Sequence, residues 1–321
     1  MERYTKQVLA FFTGCIILDL NKNVPVQGGI GLKIVEHQSL DEERALYGSR
    51  DILVRNCRFE GPADGESALK ECDSIRVENC AFHLRYPLWH DHGVVMENCE
   101  MNEACRAALW YSENVQIRNT QMHGIKALRE CRSVVLDSCD VISPEFGWST
   151  ENIQMENCRI QGEYFLLRAK DITARQLQFT GKYSFQYVEN AVIEDSVLDT
   201  KDAFWHAKNT VIRNCVVRGE YLAWYCSNVT FEHCRIEGTQ PFCYCRGLKL
   251  IDCEMVNTDL CFERSDVQAE ITTPVLSIKN PWSGRILVPE VKEVIRDDSR
   301  AHGEIIIGTA SPSHKPLSPA G

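Results

Sequence analysis

Charged residues that could act as acids or bases concentrate between positions 106 and 145 of this 321-residue chain. A lysine or arginine with cationic neighbours can abstract the proton next to a carboxylate, and a pair of glutamates can serve glycoside hydrolysis. If the chain is an enzyme, a polysaccharide lyase or glycoside hydrolase is the expected type. The catalytic candidates are Arg106, Lys126, Arg129, Glu130 and Glu145.

A second set of residues, mostly aromatic, is suited to binding. Five of the six tryptophans recur at one fixed position of a repeat, and the position after it is polar or aromatic. Aromatic faces bury large areas with little loss of entropy, and arginine can hold carboxylates. The residues predicted to bind an oligo- or polysaccharide are Trp89, His90, Trp110, Tyr111, Trp148, Arg168, Trp205, His206 and Trp224. Because Lys70 and Arg129 share the tryptophan position, this row is expected to face solvent or a groove.

The spacing comes from an internal repeat. Asn-Cys or a close relative recurs along the chain, and from Thr120 to Cys253 every step is 19 residues. Each unit consists of short β-branched alternations bounded by Asn and Gly, which are typical of strands and turns, and no unit holds a helical stripe. The sequence therefore predicts an all-β, single-stranded right-handed parallel β-helix of about 12 coils of about 19 residues, stacked roughly 4.8 Å apart.

Stacking sorts most of the 16 cysteines into two inward rows. Eight occupy the Asn-Cys position, and Cys72, Cys131, Cys226 and Cys245 occupy a second position. Free cysteine packs as a small hydrophobe, and one thiol per coil does not supply the convergent ligands of a metal site. We expect no metal and no cofactor. Rows of thiols favour a reducing cytoplasm, although the apolar segment 8–18 leaves a weak export signal.

Composition and charge limit the partners. The net charge of −10 argues against nucleic acid, and no run of 18 apolar residues exists that would span a membrane. We expect residues 1–32 to be an extension outside the repeat and residues 33–295 to be the β-helix domain. Residues 296–321 should form a C-terminal strand and a disordered tail rich in proline and serine.

A charged corner precedes the tryptophan position in each coil. Neighbouring coils often carry opposite charges there, as in Glu66 with Arg85, Lys126 with Glu145, and Glu163 with Lys182. The sequence leaves two interpretations open. These residues form a ladder of structural ion pairs, each worth a few tenths of a kcal/mol, or they flank an extended sugar site. The same corner contains Arg106, Asp202 and Glu220.

Several segments go beyond this repeat pattern. They are DEERALYG at 41–48, GPADGESAL at 61–69, CRAALWYS at 105–112, SPEFGW at 143–148 and GKYSFQY at 181–187. With these segments the chain resembles, from about residue 33 to 294, the bacterial family of domain of unknown function 3737. The resemblance implies a pectin-lyase-like β-helix and no particular activity. Neither the catalytic series of polygalacturonases nor the calcium-binding carboxylate cluster of pectate lyases is recognisable in this sequence.

Two functions remain open from the sequence. The chain binds or processes a carbohydrate along the outward aromatic and charged face, or it is a non-enzymatic scaffold that is purely structural or docks a protein. Fold alone does not decide between them.

Overall fold

The structure is a computed structural model that describes residues 33–63 and 65–308. The expected extension at 1–32, with its apolar segment 8–18, lies outside these residues, as does the expected tail after residue 308. The described residues contain 31 strands and no helix, and the strands form a β-solenoid of about 14 turns. The predicted all-β parallel solenoid with turns of about 19 residues is therefore confirmed.

The longest strand of each turn belongs to one parallel stack. Its members are β1 (Lys33–Glu36), β3 (Arg50–Arg55), β5 (Asp73–Glu78), β8 (His92–Glu97), β11 (Glu113–Arg118), β14 (Arg132–Asp137), β16 (Glu151–Glu156), β18 (Lys170–Arg175), β20 (Glu189–Glu194), β22 (Lys208–Arg213), β24 (Ser227–Glu232), β26 (Leu248–Val256), β27 (Asp266–Ile271), β29 (Ser283–Val288) and β31 (Glu304–Ile307). The register between regular turns is 19 residues, as in the pairing of Ile153 with Ile172.

A shorter strand follows the first in most turns. This second stack contains β2 (Ser39–Leu40), β4 (Arg58–Phe59), β6 (Ala81–Phe82), β9 (Glu100–Met101), β12 (Gln121–His123), β15 (Asp140–Ile142), β17 (Arg159–Glu163), β19 (Gln178–Lys182), β21 (Val197–Asp199), β23 (Val216–Arg218), β25 (Arg235–Glu237) and the end of β26. Two small sheets complete the fold, one of β7 (Leu88–Trp89), β10 (Leu109–Trp110) and β13 (Leu128–Arg129), the other of β28 (Val275–Lys279) and β30 (Val291–Ile295).

The stack extends further than the repeat count of about 12 coils predicted. After Cys253 the Asn-Cys signature is lost, yet β27, β29 and β31 continue the first stack in parallel. A strand needs only an inward apolar position and a neighbouring edge, so pairing persists where the corner signature does not. The last described strand, β31, pairs with β29 and extends the first stack past residue 295.

The core is filled by rows of identical or similar side chains. All 15 described cysteines are free and buried, which confirms their predicted place inside the solenoid. The position before the tryptophans is also fully buried, as in Leu128, Leu166, Phe185 and Phe204. Phe185 and Phe204 stack with ring centroids 5.0 Å apart, so the core itself is a ladder.

The third side of each turn is bent by an unusual backbone. In residues 183–187 every second residue is left-handed, with φ of 58° at Tyr183, 55° at Phe185 and 57° at Tyr187. The Tyr183 N–H donates to the next turn, at 2.7 Å from the Lys201 oxygen, whereas the Phe185 N–H donates to the preceding turn, at 2.8 Å from the Phe165 oxygen. The ladder hydrogen bonds thus offset the strain of left-handed residues. This bend turns two successive side chains outward, which a regular strand cannot do.

Candidate functional site

The bend on the third side creates three outward rows, which together we call the aromatic corner. The tyrosine row contains Lys126, Glu145, Tyr164, Tyr183, Asp202 and Tyr221. The tryptophan row contains Lys70, Trp89, Trp110, Arg129, Trp148, Leu167, Gln186, Trp205 and Trp224. The outer row contains Glu71, His90, Tyr111, Glu130, Ser149, Arg168, Tyr187, His206, Tyr225 and Tyr244. All nine residues predicted to bind saccharide lie in the last two rows, so the structure places them on one face.

The tryptophans lie against the surface instead of projecting from it. Their indole N–H groups donate to main-chain oxygens of the next turn, at 2.6 Å from Trp148 to Tyr164, 2.6 Å from Trp205 to Tyr221 and 2.8 Å from Trp224 to Gln240. Trp89 makes the same kind of bond. Each of these side chains therefore fixes one turn to the next. The Trp110 N–H is buried and has no acceptor among the described residues.

The cations of the tryptophan row are held by rings. The Arg129 guanidinium lies between two indoles, 4.8 Å from the Trp110 centroid and 4.9 Å from that of Trp148. Lys70 lies 5.6 Å from the Trp89 centroid. Cation–π contacts of this kind contribute about 0.5–2 kcal/mol each, which explains how charged and aromatic residues share one row.

The outer row contains a continuous stack of four rings. Centroids are 4.7 Å apart between Tyr187 and His206, 5.1 Å between His206 and Tyr225, and 4.8 Å between Tyr225 and Tyr244, with planes within 11° of parallel. Neighbouring rings cover each other's faces, so the stack presents its ring edges to solvent. Tyr187 and Tyr225 are nonetheless 49% and 47% exposed. Burial and the nearby Lys208 lower the pKa of His206, which keeps its imidazole neutral within the stack.

Four of the five catalytic candidates form two separate ion pairs, and Arg106 belongs to neither. Lys126 Nζ lies 3.3 Å from Glu145, and Arg129 Nε lies 3.1 Å from Glu130. Arg106 is exposed and makes no ion pair or side-chain hydrogen bond with any residue in 33–63 or 65–308. Each glutamate thus has its own cation as a partner. The first pair joins two turns and the second joins consecutive residues of one turn, so the arrangement is that of separate ion pairs and not of two carboxylates facing one bond.

The predicted ladder of the charged corner is present. Arg85 pairs with Glu66 at 3.3 Å, and Lys182 pairs with Glu163 at 3.1 Å. The next pair of this ladder is Lys201 with Glu220 at 2.8 Å. Asp202 does not belong to this ladder, and Lys126 and Glu145, although they pair with each other, also lie in the tyrosine row. The left-handed residue at 202 places its side chain in the tyrosine row, one position further along the turn.

Sequence reasoning missed two features. One is a further ladder on the outer face of the first stack, where Arg213 bridges Glu194 at 2.5 Å and Glu232 at 2.8 Å. The alternating signs of the residue before each Asn-like corner were the available signal. The other feature is Asp91, which lies fully buried in the second cysteine row. An aspartate at a position otherwise held by Cys, Ser, Thr, Ala or Val could have revealed it.

Asp91 is unusual in its surroundings. Its Oδ1 accepts the Cys72 N–H at 2.8 Å, but Oδ2 is buried with no partner among the described residues. Burial raises the pKa of Asp91 to about 8, although the Cys72 hydrogen bond opposes the shift. The side chain is therefore largely protonated near neutral pH.

The part of the chain that the structure describes has neither a cluster of metal ligands nor a membrane-spanning helix. In 33–63 and 65–308 no three His, Cys, Asp or Glu side chains converge as metal ligands. None of the elements described there is a helix of the length and hydrophobicity needed to cross a bilayer.

Comparison with known families identifies the chain. Residues 33–307 match the family model described as protein of unknown function (DUF3737), and the chain belongs to this family. Among curated proteins no match is found.

Several solved structures are similar in outline. PfbA, a surface adhesin of Streptococcus pneumoniae, is 9% identical with a TM-score of 0.35, covering 70% of each chain. The mannuronan C-5 epimerase AlgE6 A-module of Azotobacter vinelandii is 9% identical with a TM-score of 0.29, covering 87% of this chain and 89% of that one. QnrB1, a plasmid-mediated fluoroquinolone resistance protein, is 11% identical with a TM-score of 0.24, covering 68% and 93%. Likenesses of this size say nothing about what the chain binds.

Proposed function

We propose that this DUF3737 protein binds a saccharide chain on the aromatic corner, along the outer-row stack from Tyr187 to Tyr244. The observation that carries the proposal is the stack itself, four half-exposed or partly exposed rings at a regular 4.7–5.1 Å spacing. Large rigid side chains left at the surface offer contact area and hydroxyl groups at little cost in entropy. Trp205 and Trp224, stacked 5.4 Å apart, lie in the neighbouring row.

Binding is favoured over catalysis. Lys126 and Arg129 are each engaged by a glutamate, so neither of these two cations is a free base, and each of the two glutamates faces a cation instead of the other carboxylate. The stacked geometry also limits the kind of contact. A sugar on this face would meet ring edges and tyrosine hydroxyls, so hydrogen bonds should contribute more than ring stacking.

Calorimetry against a panel of neutral, acidic and amino oligosaccharides tests the proposal. Tyr187→Ala should weaken binding about tenfold, the loss expected from about 1.4 kcal/mol of contact energy. Tyr47→Ala is a matched control, because Tyr47 is also 49% exposed and lies on the same side about seven turns, or roughly 34 Å, away. Absence of heat with every oligosaccharide, or equal losses in both variants, contradicts the proposal.

One observation favours a second function, a scaffold that docks a protein. Most ring faces and charges on this face already have partners within the chain, whereas Arg106 has none among the described residues. A partner recovered in a pull-down and lost on Arg106→Glu, together with no heat from any oligosaccharide, would support the scaffold.

A further inference from the structure

Between Tyr164 and Tyr221 the tyrosine row lacks a tyrosine at one turn. Tyr164 and Tyr183 stack with centroids 4.8 Å apart, and Tyr221 occupies the same position two turns beyond Tyr183. The turn between them carries Asp202, which has no ring. Two turns separate the Tyr183 and Tyr221 rings by roughly 9.6 Å at the usual strand spacing. One flat group placed midway would therefore continue the ladder at its own spacing.

The tryptophan row contains a comparable interval that is filled by a cationic side chain. Between Trp110 and Trp148, also two turns apart, the Arg129 guanidinium lies within 4.9 Å of both ring centroids. In the tyrosine row no side chain fills the interval in this way. Lys201 reaches only the Tyr221 ring, 5.4 Å from its centroid, while it pairs with Glu220. The interval at Asp202 thus resembles the Arg129 site, except that its cation, Lys201, contacts one of the two rings instead of both.

The charges at this interval favour a cationic guest. The Asp202 side chain accepts no hydrogen bond and makes no ion pair with the described residues, and it is 8% exposed. With Lys201 balanced by Glu220, the interval carries the unmatched charge of Asp202. Burial raises the pKa of Asp202, a shift that Lys201 opposes, and a second cation beside it would lower that pKa further and favour the ionised carboxylate. Lys201 has a half-exposed side chain and can move away from Tyr221 to admit a guest.

We propose that the interval between Tyr183 and Tyr221 is the subsite that selects the sugar, and that it takes a protonated amino-sugar residue. Its ring lies between the two tyrosines and its ammonium group meets the Asp202 carboxylate. This inference rests on the proposed saccharide function and names the sugar class. Anionic sugars are disfavoured here because the interval carries two carboxylates, the unpaired Asp202 and Glu220, which pairs with Lys201.

The test compares two ligands of equal length, an oligomer of glucosamine and the corresponding oligomer of N-acetylglucosamine, titrated at a pH where the free amine is protonated. The wild-type protein should prefer the glucosamine oligomer about tenfold, the scale of one charge-assisted hydrogen bond between the ammonium group and the Asp202 carboxylate. Asp202→Asn keeps the side-chain size and should abolish the preference. Tyr183→Ala should weaken binding of both oligomers. Asp171→Asn, an exposed aspartate on β18, serves as the matched control and should change neither affinity.

The outcomes separate this inference from the proposed function. If the glucosamine preference persists in Asp202→Asn, the subsite is refuted. If both oligomers bind and are lost on Tyr187→Ala but not on Tyr183→Ala, the saccharide function stands and the subsite is wrong. If neither oligomer binds the wild-type protein, the subsite is refuted, and the saccharide function is overturned as well only when no other oligosaccharide of the panel gives heat.

Discussion

Replacing Asp91 by asparagine should change how the stability of the solenoid depends on pH. Asparagine has nearly the shape of aspartate and keeps an oxygen that can accept the Cys72 N–H, but it cannot ionise. In the wild-type protein the side chain is fully buried and its Oδ2 has no partner among the described residues. Ionisation in the folded state therefore places an uncompensated charge in the core.

The sign follows from the direction of the shift. Burial raises the pKa of Asp91 from 3.8 to about 8, so the folded state holds this proton more tightly than the unfolded state does. Its contribution is fully present below about pH 4 and is lost as the pH rises through about 8. At about 1.4 kcal/mol per pKa unit, the loss between pH 4 and pH 7 is on the order of 4 kcal/mol.

Urea unfolding of the wild-type protein and the Asp91→Asn variant, followed by tryptophan fluorescence at several pH values between 4 and 8, measures this effect. The difference in free energy of unfolding between the two proteins should move steadily in favour of the variant as the pH rises, because the other titrating groups are common to both. Asp51→Asn, at an exposed position, is the control and should follow the wild-type curve. A difference that does not change with pH refutes the reasoning.

Two further predictions concern the backbone and the thiols. Gly219→Ala should lower the free energy of unfolding by on the order of 3 kcal/mol, since φ is 147° and the new Cβ would lie 1.5 Å from the Thr200 main-chain oxygen. Gly48→Ala is the control and should lower it less, because its new Cβ meets no atom within 4 Å. Urea unfolding checks this. Cys131 and Cys105 should resist a thiol reagent in the folded protein, because burial raises the pKa of each to about 12. Peptide mapping that finds either cysteine modified in the absence of urea contradicts this prediction.

The repeat predicts the fold because the same residue type recurs wherever the same contact recurs. Cys158 lies one turn after Cys139, and both are buried as the 19-residue spacing requires. The ion pair of Lys126 with Glu145 follows from the same spacing and opposite charge. Where the 19-residue spacing is shifted by one residue, the predicted position of a side chain is wrong by one residue as well. Asp202 was assigned to the charged corner, although Lys201 is the residue that pairs with Glu220.

Spacing does not predict how a ring is oriented. Tyr187 and Tyr225 could have been known from the sequence to face outward, but not that His206 would stack between them and cover their faces. Nor could the sequence show that the tryptophan indoles bond to the next turn, because the acceptor is a main-chain oxygen and carries no residue signature. Because of these two features, the aromatic side chains expose mainly their ring edges, and not the open ring faces that the sequence suggested.

In a solenoid built from such rows of side chains, the informative residues are those without a matching partner in the neighbouring turns. In an unbroken row each side chain is accounted for by its neighbours one turn before and after, as Arg213 is by Glu194 and Glu232. A residue that lacks such a partner either lowers the stability of the folded chain or finds its partner in a bound ligand. Asp91, sealed in the core, has no route to an outside partner, so its cost should appear in the stability. Asp202 lies between two surface rings, where a ligand can supply the missing contact.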